Sequence, residues 1–348
     1  MHKLQIAVAG AGLIGRTHSV LVQASGECAL SAIVDPAPAA AAIATEAGVP
    51  LYASLAQLFA SQHPDGVILA TPNRLHVAQA LQCIEAGVAV LVEKPVADSV
   101  DEGLQLCAAV ERAGARVLVG HHRLHSPLLA TARAIVQSGK LGRLVAVTGS
   151  AMFYKPDSYF DEGPWRRQPG GGPILINLIH EIGSLRALCG EIVAVQALSS
   201  NAIRRFPVED TVAINLRFVG GALGTFMLSD TAASARSWEQ TSQENPSYPA
   251  YPDEDCYLVA GTDGSLAVPS MRLKTYASSE ERSWWKPFQS SVALVQREDP
   301  LTRQLAHFCA VIRGEANPRV TARDGLANLR VTEAIAQAAR TGTTITLD

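Results

Sequence analysis

Two stretches of this chain carry side chains able to hold charge and move protons. In GVAVLVEKPVA, Glu93, Lys94 and Pro95 close an apolar run that reads as a buried strand. A lysine on a helix surface carries its ammonium out to water, whereas one at the carboxyl end of a buried strand points toward a ligand crevice, where desolvation lowers its pKa. In QPGGGPILINLIHEIGSLRALCG, glycines lead into an apolar helix from Ile174 to Leu188. Asn177, His180, Glu181 and Ser184 interrupt that helix at i, i+3, i+4 and i+7, forming one polar stripe. A polar stripe on a buried helix must meet water, another polar group or a site. His180 alone fits a hydrogen-bonded core histidine equally well; the stripe and the glycines favour a site.

The elements that would position these groups begin at the first residues. LQIAVAGAGLIGRTHSVLVQA reads as strand, tight turn and helix, with Leu4, Ile6 and Val8 in a strand buried on both faces. Leu13, Ile14, Val20 and Leu21 supply the expected packing face of the helix. Gly10 makes the turn, Gly12 lets backbone approach a pyrophosphate, and Gly15 lets helix and strand pack closely; Leu13 and Ile14 complete this phosphate-binding set. A second strand, ALSAIVDP, ends in Asp35 about twenty residues further on, where a carboxylate accepts hydrogen bonds from ribose hydroxyls. The plainer alternative is that Asp35 only opens a turn before Pro36. No Lys or Arg follows it closely to offset its repulsion of a 2'-phosphate, so NAD is favoured over NADP.

Strand and helix then alternate through GVILATPN, HVAQALQCIEAG, AVLVEKP, SVDEGLQLCAAVERAG and RVLVG, which predicts a parallel sheet with helices on both faces. Asp35, Thr71 to Asn73, Glu93 to Pro95 and Gly120 to Arg123 all fall at carboxyl ends of its strands, where such sheets bind ligands. Beyond residue 122 the pattern changes to strands with hairpin-like breaks, among them EIVAVQALSS, TVAINLRF, ALGTFMLSD and CYLVAGTDG, which predict a large, mostly antiparallel sheet. The expected fold class is α/β, with a Rossmann domain over 1–122 and a second α/β domain over 123–348 that includes both terminal helices. The polar segment 231–255, with Trp238, Glu239, Asn245, Tyr248 and Tyr251, is either a sugar-contacting loop or a solvated one.

Two loops bring substrate candidates toward the same crevice. HHRLHSP holds Arg123, and KPDSYFDEGPWRRQPGGG holds Lys155, Trp165 and Arg166. Arg166 beside Trp165 could grip a carboxylate or carboxamide, or form a surface ion pair. The histidines of HHRLH lack a carboxylate or cysteine framework, so no metal site is expected.

At 348 residues with 48% hydrophobic and 18% charged content, the chain has material for two ordinary globular cores. A net charge of -3 without any basic block argues against nucleic acid or an anionic membrane as partner. No stretch reaches transmembrane length, and the apolar N-terminal run is needed as a strand rather than a signal peptide. The six scattered cysteines contain no C-x-x-C pair and suit buried thiols of a cytoplasmic protein.

Taken together, GAGLIG with Asp35, ATPNRLHVAQALQCIEAGVAVLVEKP and GGGPILINLIHEI closely resemble the glucose-fructose oxidoreductase, inositol dehydrogenase and MocA family over nearly the whole chain. The resemblance implies an oxidoreductase moving a hydride between nicotinamide and a sugar, sugar acid, cyclitol or related polyol. It implies Lys94 in contact with substrate and nicotinamide, and His180 as acid/base, the two catalytic residues. Thr71, Pro72, Asn73 and His76, with Glu93 nearby, would line the cofactor side; Arg123, Lys155, Trp165, Arg166, Asn177, His180 and Trp238 are the substrate-side set. It also implies a homodimer or homotetramer assembled through the second domain's open sheet. Many members carry Asp four residues before the histidine, where this chain has Ile176, and Gly183 stands in place of a frequent Asp after it. Two further activities stay open: a hydrolase using held NAD for transient oxidation, which the family also contains, and, because the Asp before His180 is missing, a sugar sensor without turnover.

Overall fold

The computed structural model describes residues 2–347. The first sheet contains β1 (Leu4–Ala9), β2 (Cys28–Val34), β3 (Leu51–Tyr52), β4 (Gly66–Leu69), β5 (Ala89–Glu93) and β6 (Val117–Gly120). They lie in the order β3-β2-β1-β4-β5-β6, every pair parallel. This is the doubly wound dinucleotide-binding order, with its reversal between β1 and β4. Ile6 through Ala9 and Val90 through Val92 are fully buried, as strands covered on both faces must be. The intervening helices are α1 (Leu13–Ala24), α2 (Ala40–Ala47), α3 (Leu55–Ser61), α4 (His76–Glu85) and α5 (Val100–Ala113).

Helix α1 does not pack as its apolar residues suggest. Leu13 and Val20 are 81% and 64% exposed, and the inward face is Gly15, His18, Ser19 and Val22. Two polar residues fit there because each has a partner: Ser19 Oγ donates to the Gly15 carbonyl at 2.9 Å, and the His18 ring meets Glu93.

The second unit starts with α6 (Pro127–Gln137) and β7 (Leu144–Met152), followed by α7 (Asp157–Asp161) and α8 (Ile179–Cys189). Its sheet continues through β8 (Ile192–Ser200), β9 (Thr211–Phe218), β10 (Leu223–Ser229), β11 (Tyr257–Gly261), β12 (Gly264–Val268), β13 (Arg272–Thr275), β14 (Gln289–Val292) and β15 (Ile345–Thr346). The nine strands run β14-β13-β12-β11-β7-β10-β9-β8-β15, antiparallel except where β7 meets β10. In β9, Val212, Ile214, Leu216 and Phe218 are buried while the alternate residues face outward, the period of a sheet covered on one side. The covered side packs on Leu128 and Leu129 of α6 and on Ile182, Leu185 and Leu188 of α8. The segment 231–255 contains one short helix, α9 (Trp238–Thr241).

The terminal helices are α10 (Pro300–Arg313) and α11 (Ala322–Thr341). The expectation that both belong wholly to the second domain is corrected here, because Leu301–Leu329 cluster with the first unit. The reason is a set of specific contacts: Arg116 donates to the Ile312 carbonyl at 2.6 Å, Arg313 pairs with Glu27 at 2.6 Å, and the Val119 amide donates to the Val320 carbonyl at 2.9 Å. Residues from Arg330 onward return to the second unit. Among the described residues, no helix is long and apolar enough to cross a membrane.

Candidate active site

In the first unit the glycine turn forms a cradle whose shape follows from backbone contact. Gly10 has φ +96°, and a Cβ there would lie 2.4 Å from the Ala70 carbonyl oxygen; one at Gly15 would lie 1.9 Å from the Gly10 carbonyl oxygen. A Cβ on Gly12 would meet nothing within 4 Å, so the space over the turn is open. No side chain caps α1 at Gly12, and the first-turn amides have no partner within the helix. These features fit the pyrophosphate of a dinucleotide, with Leu13 and Ile14 supplying N–H groups. Asp35 ends β2 half-buried, its Oδ2 accepting the Ala11 amide at 2.7 Å and its Oδ1 the Ala37 amide at 2.8 Å. It therefore opens the turn after β2 and ties it to the glycine turn, with lone pairs left for ribose hydroxyls.

Thr71, Pro72 and Asn73 follow β4, and Thr71 Oγ1 donates to Gln79 Oε1 at 2.6 Å. His76 is buried below them, its Nε2 2.9 Å from the Thr71 carbonyl oxygen and its Nδ1 2.7 Å from that of Pro95. Burial pushes its pKa down, while the two carbonyls and the Glu93 charge oppose that shift. Glu93 is buried and faces His18 Nε2 at 2.8 Å. Burial alone would raise its pKa, but the hydrogen bond and charge of His18, together with Lys94 and His122, hold it down at about 2. Lys94 follows, half-buried, with a cis peptide to Pro95. His18 is the residue sequence reading missed; its signal was its place on the inward period of α1, with Gly15, Ser19 and Val22.

In the second unit, Ile174–Leu178 form a π-helical turn rather than the expected start of one continuous α-helix. Such turns often accompany functional sites. Asn177 lies in this turn, and its Oδ1 accepts a hydrogen bond from Lys155 Nζ at 2.7 Å. Lys155 also faces Asp230 at 3.7 Å, and Asp230 pairs with Arg204 at 2.9 Å. His180 lies in the first turn of α8 at 8% exposure, with Ser184 Oγ donating to its carbonyl at 3.2 Å. The expected single stripe does not hold for Glu181, which turns into a fully buried network. Arg123 Nη1 meets Glu181 Oε1 at 2.5 Å, Arg123 Nη2 meets Glu239, and the Tyr257 hydroxyl donates to Glu181.

Two expected substrate contacts are relocated by this network. Arg123 is 2% exposed and committed to two carboxylates, so its guanidinium joins α8 to the 231–255 segment. Trp238 is 3% exposed in the core beside Tyr257, and its indole N–H donates to Glu244 at 3.0 Å, so it presents no ring face for a sugar. Glu244 also accepts from Ser126, yet burial pushes its pKa up to about 7 against both hydrogen bonds. Trp165 is 57% exposed, and the Arg166 guanidinium lies 3.9 Å from the Tyr159 ring centre and donates to the Tyr159 carbonyl. Among the described residues, no three His, Cys, Asp or Glu side chains are grouped to hold a metal ion.

Comparison with known proteins accords with this architecture. Residues 4–121 match a family model described as an oxidoreductase family with an NAD-binding Rossmann fold, and residues 129–267 match the GFO/IDH/MocA C-terminal domain. The chain is 28% identical to 1,5-anhydro-D-fructose reductase of Ensifer adhaerens, covering 96% of this chain and 95% of that protein. It is 26% identical to scyllo-inositol 2-dehydrogenase (NAD(+)) of Bacillus subtilis, covering 100% and 97%. The WlbA dehydrogenase of Bordetella pertussis, solved with NADH and UDP-GlcNAcA, superimposes with a TM-score of 0.79 at 25% identity, covering 100% of this chain and 99% of that one.

Proposed function

The chain belongs to the GFO/IDH/MocA oxidoreductase family, and from that premise we infer that it is an NAD-dependent oxidoreductase acting on a CH–OH group of a sugar, sugar acid, cyclitol or related polyol. The observation that carries this reading is the open glycine cradle at Gly10, Gly12 and Gly15 with the Asp35 carboxylate fastened beside it. The relatives named above are dehydrogenases and reductases, which favours net hydride transfer over a redox-assisted hydrolase or a sensor.

The nicotinamide cofactor, when bound, supplies the hydride acceptor or donor. Gly10 to Gly15 hold its phosphates and Asp35 its adenosine ribose, which favours NAD over NADP because a 2'-phosphate would face the carboxylate. Thr71, Pro72 and Asn73 line that side, with His76 and Glu93 buried behind them. In the oxidative direction, the substrate hydroxyl gives its proton to an imidazole nitrogen of His180, a group whose ordinary pKa suits both acceptance and return. Lys94 places positive charge where the oxygen becomes negative. Asn177 and Lys155, joined by their hydrogen bond, orient further hydroxyls or a carboxylate, with Trp165 and Arg166 at the rim.

A homo-oligomer formed through the outward face of the second sheet belongs to the same reading, as does residence in the cytoplasm, where nicotinamide cofactors are at hand. The test of function is nicotinamide absorbance with purified protein, NAD and a panel of aldoses, sugar acids and cyclitols. Turnover is expected with one substrate class, reduced roughly 100-fold or more in His180→Ala and in Lys94→Ala. A variant that turns over like the parent removes its residue from the chemistry.

A further inference from the structure

Lys94 is the one half-buried residue in a buried stretch that runs from Ala89 to Ala97. Its two chain neighbours are each held by a buried histidine. Before it, the Glu93 carboxylate meets His18 Nε2 at 2.8 Å, with His18 and Glu93 only 1% and 5% exposed. The other carboxylate oxygen of Glu93 accepts the Lys94 amide at 3.2 Å, so the same side chain also holds the lysine backbone. After Lys94, the Pro95 carbonyl faces His76 Nδ1 at 2.7 Å, and the opposite nitrogen of that ring faces the Thr71 carbonyl at 2.9 Å. His18 sits on α1 directly after the glycine turn, and His76 opens α4 after the loop that follows β4. The turn bearing Lys94 is thus tied to both other segments of the cofactor crevice through side chains that do not reach solvent.

We propose that His18 and His76 are positioning residues for Lys94, a two-point brace that fixes the backbone on either side of it and thereby aims its ammonium. The inference rests on the reading of Lys94 as the charge-stabilising group. Each half of the brace has a physical reason to be rigid. Glu93 is a buried carboxylate that needs a donor, and a Cβ on Gly120 of the adjoining strand would lie 2.9 Å from its carboxyl carbon, so its side chain is packed against β6. His76 lies between two buried carbonyls and, as a neutral ring, donates its one N–H to either of them according to its tautomer, whereas a shorter amide can reach one of them only. Catalysis tolerates little misplacement, because a group held about 1 Å from its productive position can lose roughly 100-fold in rate.

The experiment compares His18→Ala, His18→Gln, His76→Ala and His76→Asn with the parent and with Lys94→Ala. In each, kcat is expressed per NAD-binding site titrated by fluorescence, so that unfolded protein does not count. Both alanine variants are expected to lose at least tenfold in kcat with substrate KM within threefold of the parent. His18→Gln, which keeps an N–H for Glu93, should recover most of the loss, and His76→Asn should fall between His76→Ala and the parent. If an alanine variant does not accumulate, its amide counterpart carries the test: His76→Asn with kcat within twofold of the parent overturns the His76 half, and His18→Gln below a tenth of the parent overturns the His18 half. Alanine variants with parental kcat, in a background where Lys94→Ala is inactive, overturn the brace and leave the proposed function standing. A Lys94→Ala variant with parental turnover overturns the reading on which the brace rests.

Discussion

Asp35 shows how one carboxylate can serve the fold and the ligand together. Its two oxygens accept the amides of Ala11 and Ala37, so it is needed to hold the glycine turn whether or not a ribose is present. Replacement by alanine would confuse these roles by leaving the Ala11 amide without its acceptor. Asparagine has nearly the same shape, keeps one acceptor for the Ala11 amide and removes the charge, at the cost of the Ala37 hydrogen bond. Asp35→Asn should therefore raise NADP use relative to NAD by about tenfold, equivalent to roughly 1.4 kcal/mol, measured as the ratio of kcat/KM values. An unchanged ratio would mean that the Asp35 charge does not set the preference. At this scale the cofactor side was legible because glycine spacing and a strand-terminal acid are local patterns. Trp238 and Arg123 were misjudged because burial is not local: nothing in the run SARSWEQT states that its indole enters a core or that Glu239 meets an arginine more than a hundred residues earlier.

Among the elements, α8 and the 231–255 segment carry the largest difference between pattern and structure. Residues Ile174 to Leu188 read as one helix because apolar periodicity does not distinguish a π turn from an α turn over five residues. The extra residue in that turn places Asn177 against Lys155, while Glu181 turns inward to Arg123. The 231–255 segment has weak periodicity because charged anchors, Glu239 to Arg123 and Glu244 to Ser126 and Trp238, replace an apolar stripe. Those anchors make its attachment sensitive to pH. The Glu244 carboxyl is pushed from an ordinary 4.5 up to about 7, so between these values the folded chain keeps a proton that the unfolded chain has released. Its contribution to stability is present below about pH 4.5 and lost as pH rises through about 7, on the order of 3 kcal/mol in all. Glu244→Gln keeps an acceptor for the Trp238 N–H, donates its amide N–H to the Ser126 hydroxyl, and removes the titration. Its Tm should fall less than that of the parent between about pH 5 and about pH 8, and parallel profiles would rule out Glu244 as the source.

For the molecule as a whole, chain order concealed one feature and sheet periodicity disclosed another. Leu301–Leu329 joins the first unit although it follows eight of the second sheet's nine strands, and only contacts such as Arg313 with Glu27 reveal it. The outward face of the second sheet was legible from alternation, and it bears an apolar row where water would otherwise stand. Leu198, Ala213 and Met227 are cross-strand neighbours on β8, β9 and β10, with Leu198 73% exposed and Met227 39%. Leu223 lies on the same face of β10 as Met227 at 57% exposed. Apolar positions clustered on one sheet face mark an interaction surface more often than scattered ones do. A second copy of the same face would bury them symmetrically, with Gln196, Asn215 and Thr225 able to pair by hydrogen bonds around them. The parent protein should then sediment as a dimer or tetramer, and Leu198→Asp with Met227→Asp should shift it to monomer without loss of NAD binding. Each buried aspartate would have to shed its hydration or its charge, a penalty of several kcal/mol that an interface of ordinary size cannot absorb twice. A parent that sediments as a monomer at micromolar concentration, or a double variant that stays assembled, would place the interface elsewhere.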